Sequence, residues 1–247
     1  MIKKIFKAII IFFTLLFISL GILYFFNNEK LPVGSNSEKA DILAYKMNAA
    51  LNKNAWDSIN IISWTHKGLH KYIWNKKNNK VLVIWAKNEV LLNLKDWNKG
   101  KAFLEGKEIK DEQLDVLRGK AYSYFCNDSF WLIAPFKVFD EGVTRKIVEI
   151  APNKEALLVS YSSGGVTPGD SYLWFLDDNY VPTHFKMWVK IIPIGGILAT
   201  WENWMKTSSG ISIATKHKLG PLNIEIENLK MGSDFKELGI NQYTEFF

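Results

Sequence analysis

The nineteen residues from Ala8 to Phe26 carry no charge and are mostly Ile, Leu and Phe. As a helix rising about 1.5 Å per residue they span roughly 28 Å, close to the thickness of a bilayer's hydrocarbon core. A run this long and apolar is set apart from whatever the remaining residues build. Lys3, Lys4 and Lys7 precede it, and Glu29 and Lys30 follow it closely. That asymmetry predicts a cytoplasmic N-terminus and an exported remainder. The expected localisation is the inner or cytoplasmic membrane, single-pass, with the domain in the periplasm or outside the cell. A cleaved signal peptide is the other reading, with Ser19-Leu20-Gly21 as the small-x-small site. No cysteine lies near the end of the run, which excludes a lipoprotein-type acyl anchor; the single cysteine, Cys126, cannot form an intrachain bridge.

The chain's formal charge is +6, but residues 31–247 hold 27 basic against 24 acidic groups, so half of the excess belongs to the membrane flanks. The lysines there are scattered among acids, and Arg118 and Arg145 are the only guanidinium groups, so no nucleic-acid partner is expected. A hydrophobic share of 48% excludes a disordered chain. Ten tryptophans, all beyond residue 30, must serve the core or an apolar binding surface of the exported part.

Residues 31–37, with Pro, Gly, Ser and Asn, read as a short linker. From Glu38 to Asn54 apolar residues recur at helical spacing. Strand-like runs follow at 59–66, 69–74, 81–86 and 89–94, the third without alternation, so both of its faces should be covered. Asp111 and Glu112 start a second helix reaching about Asp128, and the dense run Phe130 to Phe136, interrupted by Pro135, suits a short helical turn. Further strands are expected at 144–150, 156–161, 171–176, 183–192, 197–204, 211–218 and 222–229. Several alternate, as where Phe185, Met187 and Val189 oppose His184, Lys186 and Lys190. The fold class is α+β, with about eleven antiparallel strands, two main helices, and a domain covering residues 38–247 after the anchor at 1–30.

A helix leading into a long antiparallel meander, with helical segments inserted midway, resembles the LolA/LolB-like superfamily of exported lipid- and lipoprotein-binding domains. Stretches such as Trp131-Leu132-Ile133-Ala134-Pro135-Phe136 and Tyr172-Leu173-Trp174-Phe175-Leu176 carry the resemblance, which covers roughly residues 38–229. It implies a strongly curved sheet forming an incomplete barrel, helices covering the open side, and an apolar cavity for acyl chains. The residues expected at that cavity are Trp64, Trp74, Trp85, Trp174 and Trp201, with Phe185 and Met187 beneath and Trp131 and Phe136 in the plug. The implied partners are lipid or an acylated lipoprotein, bound without catalysis and without a cofactor.

Other constellations point less far. Ser162 to Asp170 lacks a nucleophile elbow and a phosphate-loop Gly-Lys-Ser/Thr, and reads as a long glycine-rich hairpin that could gate a barrel mouth. His66 and His70 could face each other across a hairpin, but too few ligands accompany them for a metal, and solvated histidines are expected. Asp111, Glu112 and Asp115 suit a helix N-terminus. Glu202, between Trp201 and Trp204, supports an alternative: a carbohydrate-active envelope enzyme with aromatic platforms beside a carboxylate.

Overall fold

The computed structural model describes residues 2–247, so Met1 of the expected anchor lies outside the described residues. Helix α1 (Ile2–Asn27) contains a stretch, Ile5–Asn27, long and apolar enough to cross a membrane, and none of its described side chains is buried against the rest of the chain. The segment after it is fastened to the domain. Ser35 exchanges backbone hydrogen bonds with Ile147 (2.9 and 3.0 Å), which covers part of an exposed strand edge.

The expected helix over 38–54 is two helices, α2 (Glu38–Ala50) and α3 (Lys53–Ser58). Asn52 divides them by taking the left-handed conformation (φ +59°), and its side-chain oxygen accepts from the Ala55 amide to cap α3. A short asparagine is suited to both tasks.

The strands are β1 (Ile61–His66), β2 (His70–Asn75), β3 (Lys80–Trp85), β4 (Asn88–Asn93), β5 (Lys101–Leu104) and β6 (Lys107–Ile109), followed by helix α4 (Gln113–Ile133). After a 3₁₀ turn at Ala134–Phe136 come β7 (Val143–Ala151), β8 (Lys154–Tyr161), β9 (Ser171–Leu176) and β10 (Pro182–Trp188). The last four are β11 (Ile197–Thr200), β12 (Glu202–Lys206), β13 (Ser212–Leu219) and β14 (Leu222–Gly232). They form one antiparallel sheet of fourteen strands in the order 6-5-4-3-2-1-14-13-11-10-9-8-7, with β12 paired to β13 beside that path.

Eleven strands was therefore too few, for two physical reasons. The β5–β6 hairpin is short, lysine-rich and at an edge, so it lacks a hydrophobic pattern. The expected 197–204 strand breaks at Trp201, whose ring turns into the core, and β12 then leaves β10 to pair with β13 alone.

Strand β14 joins the two meanders. Leu222 to Glu225 pair with β13 and Ile226 to Gly232 pair with β1, and a register shift near Asn228 (φ +52°) bends the strand. The sheet curves around α4 without closing. Phe125 of α4 meets Trp74 of β2 (5.3 Å between ring centroids), while Trp131, further along the same helix, meets Phe185 of β10 (5.8 Å).

Both faces of the sheet are covered in places, as the non-alternating 81–86 run requires. Behind β1 to β3, Ile61, Ile73 and Leu82 pack against Ile240 and the aromatic C-terminal tail, including Phe235 and Tyr243. A smaller cluster of Val148, Ala156, Leu158 and Leu173 packs with Trp188 on the outer face of the other half. Phe185, fully buried, touches the rings of Trp131, Tyr172, Trp174 and Trp201 at 5.0 to 5.9 Å. Phe185→Ala should therefore cost about 3–5 kcal/mol of folding stability, measured by urea unfolding of the wild-type and variant chains.

Candidate functional site

A cavity of about 520 Å³ lies between α4 and the concave face of the β7–β10 half. Helical spacing on α4 carries one wall through Tyr122, Phe125, Cys126, Ser129, Phe130 and Ile133, while Tyr161, Tyr172, Phe185, Met187 and Val189 carry the other from neighbouring strands. The β8–β9 loop, from Ser163 to Thr167, and Ile191 with Ile192 of the β10–β11 turn stand at its mouth.

Four of the nine residues expected at an apolar cavity line this one: Trp74, Trp131, Phe185 and Met187. The other five are buried behind its wall, each engaged by another ring. Trp64 stacks on Tyr72 (4.6 Å), Phe136 on Trp56 (4.8 Å), and Trp85 meets the edge of Tyr124 (5.6 Å). Trp174 and Trp201 pack on each other (5.1 Å) behind Phe185. Phe130 was not foreseen because α4 runs unbroken to Ile133, where an interrupted turn was expected from residue 130; Tyr122 lay within the expected helix. Tyr161 and Tyr172 follow the period-2 alternation of β8 and β9, which was the available signal.

The wall is apolar but not uniformly so. The Trp74 indole N–H and the Tyr161 hydroxyl are buried without a hydrogen-bond partner, and burial, the largest cause, raises the pKa of the Tyr161 phenol. Burial, together with the nearby Asp170 carboxylate, does the same to Tyr172. Asp170 itself pins the mouth: one carboxylate oxygen accepts from the Thr167 hydroxyl (2.6 Å) and the other from the Lys190 amide (3.0 Å). The hydroxyls of Ser162 and Ser163 donate to the carbonyls of Gly142 and Glu141. The serines of this loop thus hold its shape. Burial pushes the Cys126 thiol up, away from a reactive thiolate.

His66 and His217 are buried and His70 nearly so, contrary to expectation, whereas His184 stays half-exposed on the polar side of β10. His66 and His70 are cross-strand partners on β1 and β2, and α4 brings Asp128 between them. One Asp128 oxygen receives the Tyr72 hydroxyl (2.6 Å) and bonds His70 Nδ1 (2.7 Å); the other lies 3.5 Å from His66 Nε2. The carboxylate comes from 58 residues beyond His70, so local spacing could not reveal it. This buried knot ties α4 to the sheet. His217 is fully buried under Trp131 and Trp201, and the Thr200 carbonyl at 3.1 Å marks Nδ1 as its protonated nitrogen. Among the described residues, no group of three or more His, Cys, Asp or Glu side chains is arranged to hold a metal ion.

Glu202 sits near the surface, 3.3 Å from Lys218. Its pKa is lowered, chiefly by a hydrogen bond from Thr200 and then by Lys218. Trp201 beside it is buried, so it presents no aromatic platform to solvent.

Burial lowers the His217 pKa from 6.5 to about 4, and burial also lowers that of His66. The unfolded chain binds a proton at His217 below pH 6.5, whereas the folded chain resists it until about pH 4. Stability should therefore fall as pH drops through that window, by about 3 kcal/mol once His217 is protonated in both states. Thermal unfolding of wild type and His217→Gln across the window checks this, the variant showing the shallower slope.

No family model matches the sequence, and no curated protein matches it. Among solved structures, the chain is similar to a DUF1329 family protein from Desulfovibrio piger, with a TM-score of 0.40 and 10% identity over 79% of this chain and 96% of that one.

Proposed function

We propose that the chain is a membrane-anchored cell-envelope domain that binds a hydrophobic ligand, a lipid or the acyl chains of a lipoprotein, without catalysis. The observation that carries this is the cavity: about 520 Å³ of largely apolar space whose wall contains two unpartnered donors, Trp74 Nε1 and Tyr161 Oη. The volume falls within the range of small-molecule sites, roughly 300–1,000 Å³. Each methylene buried there contributes about 0.8 kcal/mol. A ligand carrying an ester or carboxylate oxygen would give either donor the partner it lacks, once the side chain turns to meet it; a buried donor without a partner costs about 1–3 kcal/mol.

The same reading agrees with the resemblance to LolA/LolB-like domains, in which a curved sheet and its helices enclose an acyl-chain cavity. α1 supplies the anchor, with Lys3, Lys4 and Lys7 on the cytoplasmic side. The carbohydrate-active alternative has less to support it: the Glu202 pKa is lowered where a general acid needs it raised, and Trp201 is buried, which leaves the half-buried Trp204 beside the carboxylate.

The chain beginning at Asn28, purified without detergent, should carry extractable lipid, and added fatty acid should quench its tryptophan fluorescence. A lipid-free protein whose fluorescence ignores fatty acid would overturn the reading. Tyr161→Phe makes a sharper test. Removing an unpartnered hydroxyl should leave thermal stability unchanged or raise it by about 1 kcal/mol, while fatty-acid affinity falls severalfold in the same titration.

A further inference from the structure

The strand register brings the turns at β1–β2, β3–β4, β5–β6, β8–β9, β10–β11 and β13–β14 to one end of the sheet. His66 lies opposite Ile226 and His70, and His70 opposite Trp85, so residues 67–69, 86–87 and the start of β14 share that end. Asn88 opposite Leu104 adds the 105–106 turn. In the other half, Ser171 opposite both Ser160 and Trp188 sets the 162–170 and 189–196 segments side by side. Ala199 opposite Leu219 brings the 220–221 turn to the same end.

This end is studded with exposed apolar side chains. Leu69, Leu104, Val166, Ile191 and Leu222 are 39 to 72% exposed, one in or beside each of five of these turns. Lys67 and Lys190 are exposed between them, and among the described residues neither has a carboxylate partner. The turns at the opposite end are polar: Lys76-Lys77-Asn78-Asn79, Asp177-Asp178-Asn179 and Thr207-Ser208-Ser209-Gly210. Ile150 and Met205, on the strands leading to that end, are exposed apolar side chains there. The cavity opens at the apolar end, because Val166 and Ile191 are also part of its lining.

The membrane helix leaves the domain at this same end. Directly after α1, the Glu29 amide donates to the Gly195 carbonyl (3.0 Å), the Gly195 amide donates to Asn28 Oδ1 (2.8 Å), and Trp188 Nε1 donates to the Glu29 carbonyl (2.7 Å). Lys186 binds the Glu29 carboxylate through both oxygens (2.6 and 2.7 Å). The approach is too close for a side chain at position 195, where a Cβ would strike Trp188 and the Glu29 carbonyl oxygen (2.7 Å). The residues that leave the bilayer are thus clasped to the turn that carries Ile191.

We propose that this end of the sheet is a membrane-docking rim: the clasp at Asn28, Glu29 and Gly195 holds the apolar turns against the leaflet that α1 crosses, so that the cavity takes phospholipid sideways from its own membrane. Apolar tips enter the headgroup boundary and Lys67 and Lys190 meet lipid phosphates, the pairing of forces that holds interfacial segments at a bilayer. The inference rests on the anchoring and lipid-binding reading above, and specifies where the ligand enters.

The test uses the full chain in vesicles of phosphatidylcholine and phosphatidylglycerol, with Cys126→Ser and a single fluorophore attached through Ile191→Cys, Leu69→Cys or Ser208→Cys. The probes at 191 and 69 should emit blue-shifted and be quenched by nitroxide-labelled lipid, while the probe at 208 stays water-like. Water-like emission at 191 and 69, or equal quenching at 208, overturns the docking rim. Gly195→Leu should abolish quenching at 191 and 69 while the protein stays membrane-bound and thermally stable; undiminished quenching would overturn the clasp. Fatty-acid quenching of tryptophan fluorescence in the α1-lacking chain reports on the cavity separately: quenching there with a water-exposed rim leaves the binding reading standing and sinks docking, and the reverse result sinks binding alone.

Discussion

The rings along α4 reach strands that stand far apart in the sheet order. Tyr124 and Phe125 meet Trp85, Trp64 and Trp74 on β1 to β3, and further along the helix Phe130 and Trp131 meet Tyr172 and Phe185 on β9 and β10. A flat sheet could not bring both sets within ring contact of one helix. Curvature is therefore the geometric consequence of burying α4 on two faces, and the bend at Asn228 in β14 supplies the backbone change that permits it. Asp128, held by Tyr72 and His70, fixes the rotation of the helix, so one face is pressed into the β1–β3 half and another is left over the cavity.

That division explains why the two halves differ in packing. Over β1 to β3 the helix side is filled by stacked aromatics and the outer side by the C-terminal tail, leaving the strands buried on both faces. Over β8 to β10 the outer cluster is small and the inner face stands partly away from α4. The unfilled space therefore sits mainly on the half whose turns also receive Asn28 and Glu29.

Most strands were legible in the sequence because alternation such as Phe185, Met187 and Val189 against Lys186 and Lys190 is a local signal. The covered face of 81–86 was legible too, from its lack of alternation, but not its cover, since residues 233–247 show no periodicity. The β5–β6 hairpin and the Trp201 break were missed because edge pairing and a turned-in ring are decided by tertiary neighbours. The site was legible by residue class and not by membership. Trp74, Trp131, Phe185 and Met187 line the cavity whereas Trp64 and Trp174 do not, and nothing in their local sequence separates the two sets. Asp128 beside the histidines is a contact between a helix and a hairpin, beyond the reach of spacing rules.

The unpartnered polar atoms carry the physics of the tryptophan excess one step further. Indole N–H groups of Trp64, Trp74, Trp174 and Trp201 are all buried without an oxygen or nitrogen partner. Phenylalanine would fill much of the same volume without that cost, about 1–3 kcal/mol for each buried donor. At Trp64, Trp174 and Trp201 the donors sit among packed rings, where aromatic faces give weak acceptors and the larger indole gives more packing area in return. Trp74 and Tyr161 differ in that both residues line the cavity, with their donor atoms sealed beneath its wall. Asn127, Ser129, Lys137 and Asp170 also stand in the lining, so the space is apolar in the main and polar in places, unlike the packed rings behind it.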